Sequence, residues 1–460
     1  MKQFFKSLFS DKEFLRRTWL IVLPVTIQQM LAMLTNIVDN VMIGRLGEIE
    51  MGGVGLASKV FFIICLSVFG VSSGMSVLSS QYWGNNDIPN IRRVVGLGGV
   101  LSVGFALTFS VICFFFPDKA MMIFTDSPEL INVGAIYLRI TAFSWPFMAL
   151  SETLATGLRS MDIVKPRVCV IAIAIVVNIF FNWILIFGRL GAPELEVAGA
   201  AYATVIARFA EAVMMIVMLR IIDSPLWCDI KCYFGFTKNM LAQFVNRSMA
   251  VCINDTLWGI GYSLHALTYG RMGEAAAAAF SVVSIFSDIE VVGLLGLSTA
   301  CAVILGNELG AGHMHRAELY AKYYIVLGFM AGIVICIITA LAARPAAEIY
   351  NFSVEAKQMM LSTLAVLAIS LLWRADNNIT IVGILRAGGD TKACALIDLL
   401  PMWLVSVPAV ILTGLGLHWP LWAVYLVQQS DEFIKLFASM SRVRTKKWLK
   451  NLNVELAGQI

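Results

Sequence analysis

Apolar runs long enough for a helix to cross about 30 Å of hydrocarbon recur along the chain with short polar breaks between them. They predict twelve helices, near residues 18–44, 52–80, 94–116, 132–156, 166–188, 197–222, 244–270, 277–305, 321–343, 360–385, 393–413 and 417–440. Within the first run, helical spacing puts Gln28, Ala32, Thr35 or Asn36, and Asp39 on one face, with leucine, isoleucine and valine on the others. That face is expected to look into protein or water. A carboxylate at this depth costs several kcal/mol unless it is neutralised, paired or wetted, which makes Asp39 the first functional candidate.

The pattern also repeats. Gly84, in the polar break after the second run, and Gly310, after the eighth, lie 226 positions apart. Arg159 and Arg386, after the fourth and tenth runs, lie 227 apart. Two matches at nearly one offset imply a six-helix unit used twice. Six is even, so both copies keep one orientation. The expected fold is an all-α polytopic membrane protein, with twelve transmembrane helices in two six-helix bundles related by a pseudo-twofold axis along the membrane normal. The domains this predicts are an amphipathic amino-terminal segment (1–17), an N-lobe (18–222), a cytoplasmic linker (223–243), a C-lobe (244–440) and a basic cytoplasmic tail (441–460). Pro24 removes a backbone donor inside the first span and is the expected hinge.

Composition agrees: of 460 residues 59% are hydrophobic and only 14% charged, with mean hydropathy +0.81, which excludes a soluble globular enzyme. Lysine and arginine set the orientation by the positive-inside rule. With both termini cytoplasmic, 24 basic residues fall inside, counting six from Lys435 to Lys450 as tail charges, against seven outside. Phe4, Phe5, Leu8, Phe9 and Phe14 among lysines suit an interfacial helix leading into an uncleaved first span. The nine cysteines are scattered and are expected to be reduced and structural, with no zinc site at Cys228 and Cys232. No metalloprotease, nucleophile-elbow or paired-histidine pattern supports an enzyme.

Other intramembrane acids follow the logic of Asp39. Spacing from Asp255 gives Trp258, Tyr262, His265 and Tyr269, a carboxylate at the head of an aromatic stripe that could hold an organic cation. Asp288 and Asp376 are further candidates in spans eight and ten. Arg208 and Glu211, at i and i+3, are expected to neutralise each other.

The segments Val38–Gly44, Gln81–Asp87, Gly157–Arg167, Asn178–Gly188, Gly199–Arg208 and Gly383–Lys392 resemble the multidrug and toxic compound extrusion (MATE) family, in its bacterial DinF-like branch. The resemblance covers roughly residues 15 to 440. It implies a cation-coupled antiporter of the bacterial cell (inner) membrane that exports small organic, mainly cationic and amphipathic drugs by alternating access of two lobes, as a monomer among membrane lipids, with no cofactor and no nucleic-acid partner. It also implies that Asp39, Asn178, Asn182 and Thr204 form the coupling-ion site. Relatives often carry an aspartate where this chain has Asn182, which weakens a Na+ cage there and favours H+. The C-lobe set of Asp255, Asp288, Asp376, Trp258, Tyr262 and His265 stands as a second coupling or substrate site. The alternative is a flippase for a lipid or lipid-linked oligosaccharide, which would need unpaired arginines facing a cavity. Arg139, Arg208 and Arg374 are the only candidates within spans.

Overall fold

The computed structural model describes residues 2–349 and 352–452, so the last eight positions of the expected basic tail lie outside the described residues. Among those described there are helices and no strands: α1 (Lys2–Ser10), α2 (Lys12–Gly44), α3 (Glu48–Gly84), α4 (Ile88–Phe115), α5 (Pro117–Met122), α6 (Pro128–Thr141), α7 (Trp145–Ser160), α8 (Lys165–Phe187), α9 (Glu196–Ile221), α10 (Lys238–Arg271), α11 (Glu274–Gly310), α12 (Met314–Ile349), α13 (Val354–Asn377), α14 (Thr391–Pro401), α15 (Val407–Ile411), α16 (Leu421–Gln428) and α17 (Ser430–Arg444). The repeat is visible in their lengths. Helices α3 and α11 each have 37 residues, each follows a positive-φ glycine, Gly47 or Gly273, and each ends at the matched Gly84 or Gly310.

Ten stretches among the described residues are long and apolar enough to cross a membrane. The two expected spans that miss this mark are informative. Helix α10 has the length, 34 residues, but carries Asn254, Asp255 and His265. The last span is broken between α16 and α17, where Gln428, Gln429, Ser430, Asp431 and Glu432 run together. Both carry polar groups that lipid would not accept and that protein must satisfy. The chain is thus an all-α, multi-pass membrane protein of twelve spans, two of which are unusually polar.

Two compact units divide the chain: Pro24–Cys252, called here the N unit, and Met1–Leu23 with Ile253–Ile460, the C unit. Two helices therefore begin in one unit and end in the other. The first half of α2 belongs to the C unit, where the fully buried Phe14 ring lies 4.7 Å from Tyr320, 5.2 Å from Tyr323 and 5.1 Å from Tyr324. Arg17 bonds Glu308 at 3.1 Å and Thr18 meets the Tyr324 hydroxyl at 2.9 Å. Leu8 is buried as well while Phe9 is 52% exposed, so one side of the amino-terminal segment packs on protein and the other faces outward. The side chains of Phe4 and Phe5 lie outside the described residues.

The first half of α10 belongs to the N unit for a steric reason. Gly70 and Gly74 of α3 let α10 approach so closely that a methyl group at Gly74 would stand 2.8 Å from the Ser248 Cα, and one at Gly70 2.7 Å from the Cys252 Cα. The connection before α10 is likewise held. Arg92 donates to the Pro225 carbonyl at 2.7 Å, the Tyr233 hydroxyl bonds the Leu226 carbonyl, and Gly96 of α4 abuts the Tyr233 backbone.

Candidate functional site

In the N unit, α2 carries Asp39 and α8 carries Asn178 and Asn182 one turn apart, which aims both amides at one point. The Asn182 amide donates to Asp39 Oδ1 at 2.6 Å and to Asn178 Oδ1 at 3.3 Å. Asn182 is 1% exposed and its own carbonyl oxygen has no hydrogen-bond partner. The Thr204 hydroxyl of α9 donates to the Ala200 carbonyl at 3.0 Å, within its own helix. Tyr137, which the sequence reading missed, lies beside Thr204 and within electrostatic reach of Asp39. Arg208 also acts on Asp39 through space.

Deeper in the same unit a charge network surrounds Glu211. Ser151 donates to it at 2.8 Å, Arg167 at 2.5 Å and Arg208 at 2.7 Å. Arg167 also reaches Glu152 at 3.2 Å, and Arg159 reaches Glu152 at 3.1 Å. The Arg208–Glu211 pair expected from i, i+3 spacing is present, but the contact with Arg167, 44 positions away, leaves no local trace in the sequence.

In the C unit the expected acids do not converge. Asp255 is paired with Arg386 at 2.9 Å and accepts from Asn254 at 3.1 Å. Buried Asp376 points at Gly328 of α12, where one carboxylate oxygen has no hydrogen-bond partner. Asp288 is exposed on α11. Trp258, Tyr262 and His265 do share a small, partly open cleft of about 30 Å3, together with Arg374, Met402, Gln428, Gln429, Asp431 and Glu432. Trp258 and Tyr262 stack at 5.5 Å with an 8° interplanar angle. Tyr269, the last member of the stripe, is fully buried in the core and bonds Gln428 at 2.5 Å.

The carboxylates of this cleft are therefore Asp431 and Glu432 of α17. Behind them Lys435, counted from sequence as a tail charge, is 1% exposed and bonds Asp398 at 2.9 Å, Asp431 at 3.0 Å and Glu432 at 3.3 Å. An ammonium at this depth persists only with such partners, which is why it sits among three acids and not in the tail. The signal for this cluster was the polar run from Gln428 to Glu432 inside an otherwise apolar span. Among the described residues none of the nine cysteines forms a disulfide, and no group of three or more histidines, cysteines or acids could hold a metal ion.

Apolar spanning helices, a duplicated architecture and buried, mutually paired charges at membrane depth define a polytopic membrane transporter. The MatE family model matches residues 24–184 and 257–412, one stretch in each half, and the chain belongs to that family. It is a transporter and not an enzyme. The "Probable multidrug resistance protein YoeA" of Bacillus subtilis (strain 168) is 25% identical over 392 residues, covering 85% of this chain and 84% of that protein. The "Multidrug and toxin extrusion protein 1" of Danio rerio is 27% identical over 412 residues, covering 86% of this chain and 66% of that protein. A MATE crystal structure "in the bent conformation" shares the fold with a TM-score of 0.86 at 17% identity, covering 96% of this chain and 97% of that one.

Proposed function

We propose that the chain is a cation-coupled exporter of small organic, mainly cationic and amphipathic compounds, that works by alternating access, and that Asp39 carries the coupling ion. The observation behind this is the 2.6 Å hydrogen bond from Asn182 to an aspartate in a membrane span, with Asn178 alongside. The relatives named for multidrug resistance and toxin extrusion support the substrate class.

A proton is favoured over sodium as the coupling ion. A hard metal cation wants several oxygen ligands around it. Here the group facing Asp39 is an N–H donor, which would have to turn away before a metal cation could be ligated there. A proton needs only the carboxylate and an acceptor. The unpartnered Asn182 carbonyl oxygen supplies that acceptor once the amide turns over, so Asn182 can donate to charged Asp39 and accept from the neutral form. Loss of the charge then weakens the tie between α2 and α8. Pro24 leaves the Leu20 carbonyl without its helical partner, so α2 can bend there in response. By the positive-inside rule both termini are cytoplasmic.

Two of the three arginines that the flippase alternative would use are paired, Arg208 with Glu211 at 2.7 Å and Arg374 with Glu290 at 3.3 Å, while Arg139 is exposed on α6. Reconstitution into proteoliposomes tests the reading. Asp39→Asn is expected to lose gradient-driven export of a fluorescent cation at least tenfold, and gradient-driven export by this variant at the wild-type rate sinks it.

A further inference from the structure

Spans alternate in direction, so the chain emerges on one side after spans two, four and six of each repeat, the side that the positive-inside rule makes cytoplasmic. Each turn there joins its own two helices covalently, and no covalent link on that side holds one hairpin to the next. In the N unit the connection 222–237 crosses the gap. Arg92 of α4 donates to the Pro225 carbonyl at 2.7 Å. Leu226 is 1% exposed and packs at Gly157, near the end of α7, where a methyl group would stand 3.1 Å from Leu226 Cδ1. Gly96 of α4 lies so close to the Tyr233 backbone that a methyl group there would stand 2.7 Å from the Tyr233 carbonyl carbon. The Tyr233 hydroxyl closes the segment on itself by bonding the Leu226 carbonyl.

The second repeat ends in the same way. Trp448 and Leu452, in the stretch expected to be a basic tail, are each 1% exposed. A methyl group at Gly388, in the turn before α14, would stand 2.7 Å from the Trp448 carbonyl carbon. Arg442 grips Asp390 of that turn at 2.7 and 3.1 Å. Asn451 donates to the Gly310 carbonyl at 3.2 Å, and Lys446 reaches Glu318 of α12 at 2.7 Å. The tail thereby joins the turn after α11 to the turn before α14. The correspondence is also positional. Leu226 and Leu452 lie 226 apart, and so do Arg92 and Glu318, the offset of Gly84 and Gly310. A connector needs only to reach the next helix, and a solvated tail has no use for a buried tryptophan.

We propose that the duplicated unit is six spans and a strap, and that each strap locks the cytoplasmic turns of its own bundle so that the bundle tilts as one body during transport. Burial and close backbone approach fix the strap at both turns, where an exposed ion pair such as Lys446 with Glu318 would by itself hold weakly. Alternating access by rigid-body movement needs bundles that do not deform internally. With a strap released, its two hairpins can part on the cytoplasmic side, and the movement is absorbed within the bundle.

The test is hydrogen exchange of the purified full-length chain in nanodiscs, read by mass spectrometry, beside gradient-driven export of ethidium, a fluorescent organic cation, in proteoliposomes. Trp448→Ala and Gly388→Val act on the tail strap from opposite sides. Each is expected to speed exchange across 308–316 and 384–392 at least tenfold, to leave the N-unit turns at 84–92 and 157–165 at wild-type protection, and to lower export at least fivefold. Gly96→Val is expected to reverse the pattern, loosening the N-unit turns alone. Asn451→Ala removes one hydrogen bond from a partly buried residue, and it carries the test, at 308–316, if the larger changes do not fold. Wild-type protection at both C-unit turns overturns the tail strap. Loosened turns with export at the wild-type rate overturn its part in transport, and exchange that rises in both units from a change in one overturns the assignment of one strap to each. None of these outcomes touches the reading of Asp39.

Discussion

Glu211 shows what a single buried charge does here. Two arginines and a serine converge on it, so its removal strands the Arg208 guanidinium and leaves Arg167 with Glu152 as its one acid. Breaking a buried pair by deleting one partner costs about 3–5 kcal/mol. Glu211→Gln is expected to lower the melting temperature of the detergent-purified protein well below that of wild type, and an unchanged melting curve would show that the network contributes little. Asn182→Leu removes both the donor and the orphaned acceptor beside Asp39, and its expected effect is on coupling: ion-driven export falls at least tenfold while melting changes little, as a transport assay and a melting curve on one preparation will show. Asp39 was legible in the sequence because one carboxylate in an apolar run stands out against its neighbours. Asp431 and Glu432 were not, because their significance depends on Lys435 turning inward and on α10 lying opposite. Nor was the partner of Asp255, since Arg386 is 131 positions away and spacing along one helix carries no information about it.

At the scale of elements, the informative helices are the two that change units. The length and polarity of α2 and α10 could be read from the chain, but their division between units depends on side chains meeting across distant segments. Phe14 finds three tyrosines of α12, and Ser248 and Cys252 find the small residues of α3. Gly74→Leu is expected to force α3 and α10 apart, at an overpacking cost of about 1–3 kcal/mol. Thermostability followed by size-exclusion fluorescence checks this, and a variant as stable as wild type would mean the two helices do not need their close approach. Pro24→Ala restores the backbone bond to Leu20 and favours a straight α2. Its expected signature is a loss of gradient-driven export with ethidium affinity retained, measured on the same preparation. Undiminished export would remove α2 bending from the mechanism.

For the whole molecule, duplication was the most legible feature, because a fixed offset between matched glycines survives even where the surrounding side chains differ. Helices α3 and α11, equal in length and bounded by matched glycines, carry that offset into the structure. The charge inventory of each unit was less legible, since Lys435 reads as a tail residue until the chain folds. Orientation is tested at Cys232, which is exposed in the connection before α10. With that connection cytoplasmic, a membrane-impermeant maleimide labels Cys232 in inverted vesicles and not in intact cells when Cys169 and Cys228 are replaced by serine, and adding Cys232→Ser loses the signal. The central claim is that Asp39 couples a proton gradient to the export of organic cations. Proteoliposomes loaded with ethidium and given either a pH jump or a sodium jump test it most directly. The account predicts that wild type responds to the pH jump alone and that Asp39→Asn responds to neither. A response to sodium without a pH gradient, or an Asp39→Asn protein that answers the pH jump at the wild-type rate, would contradict it.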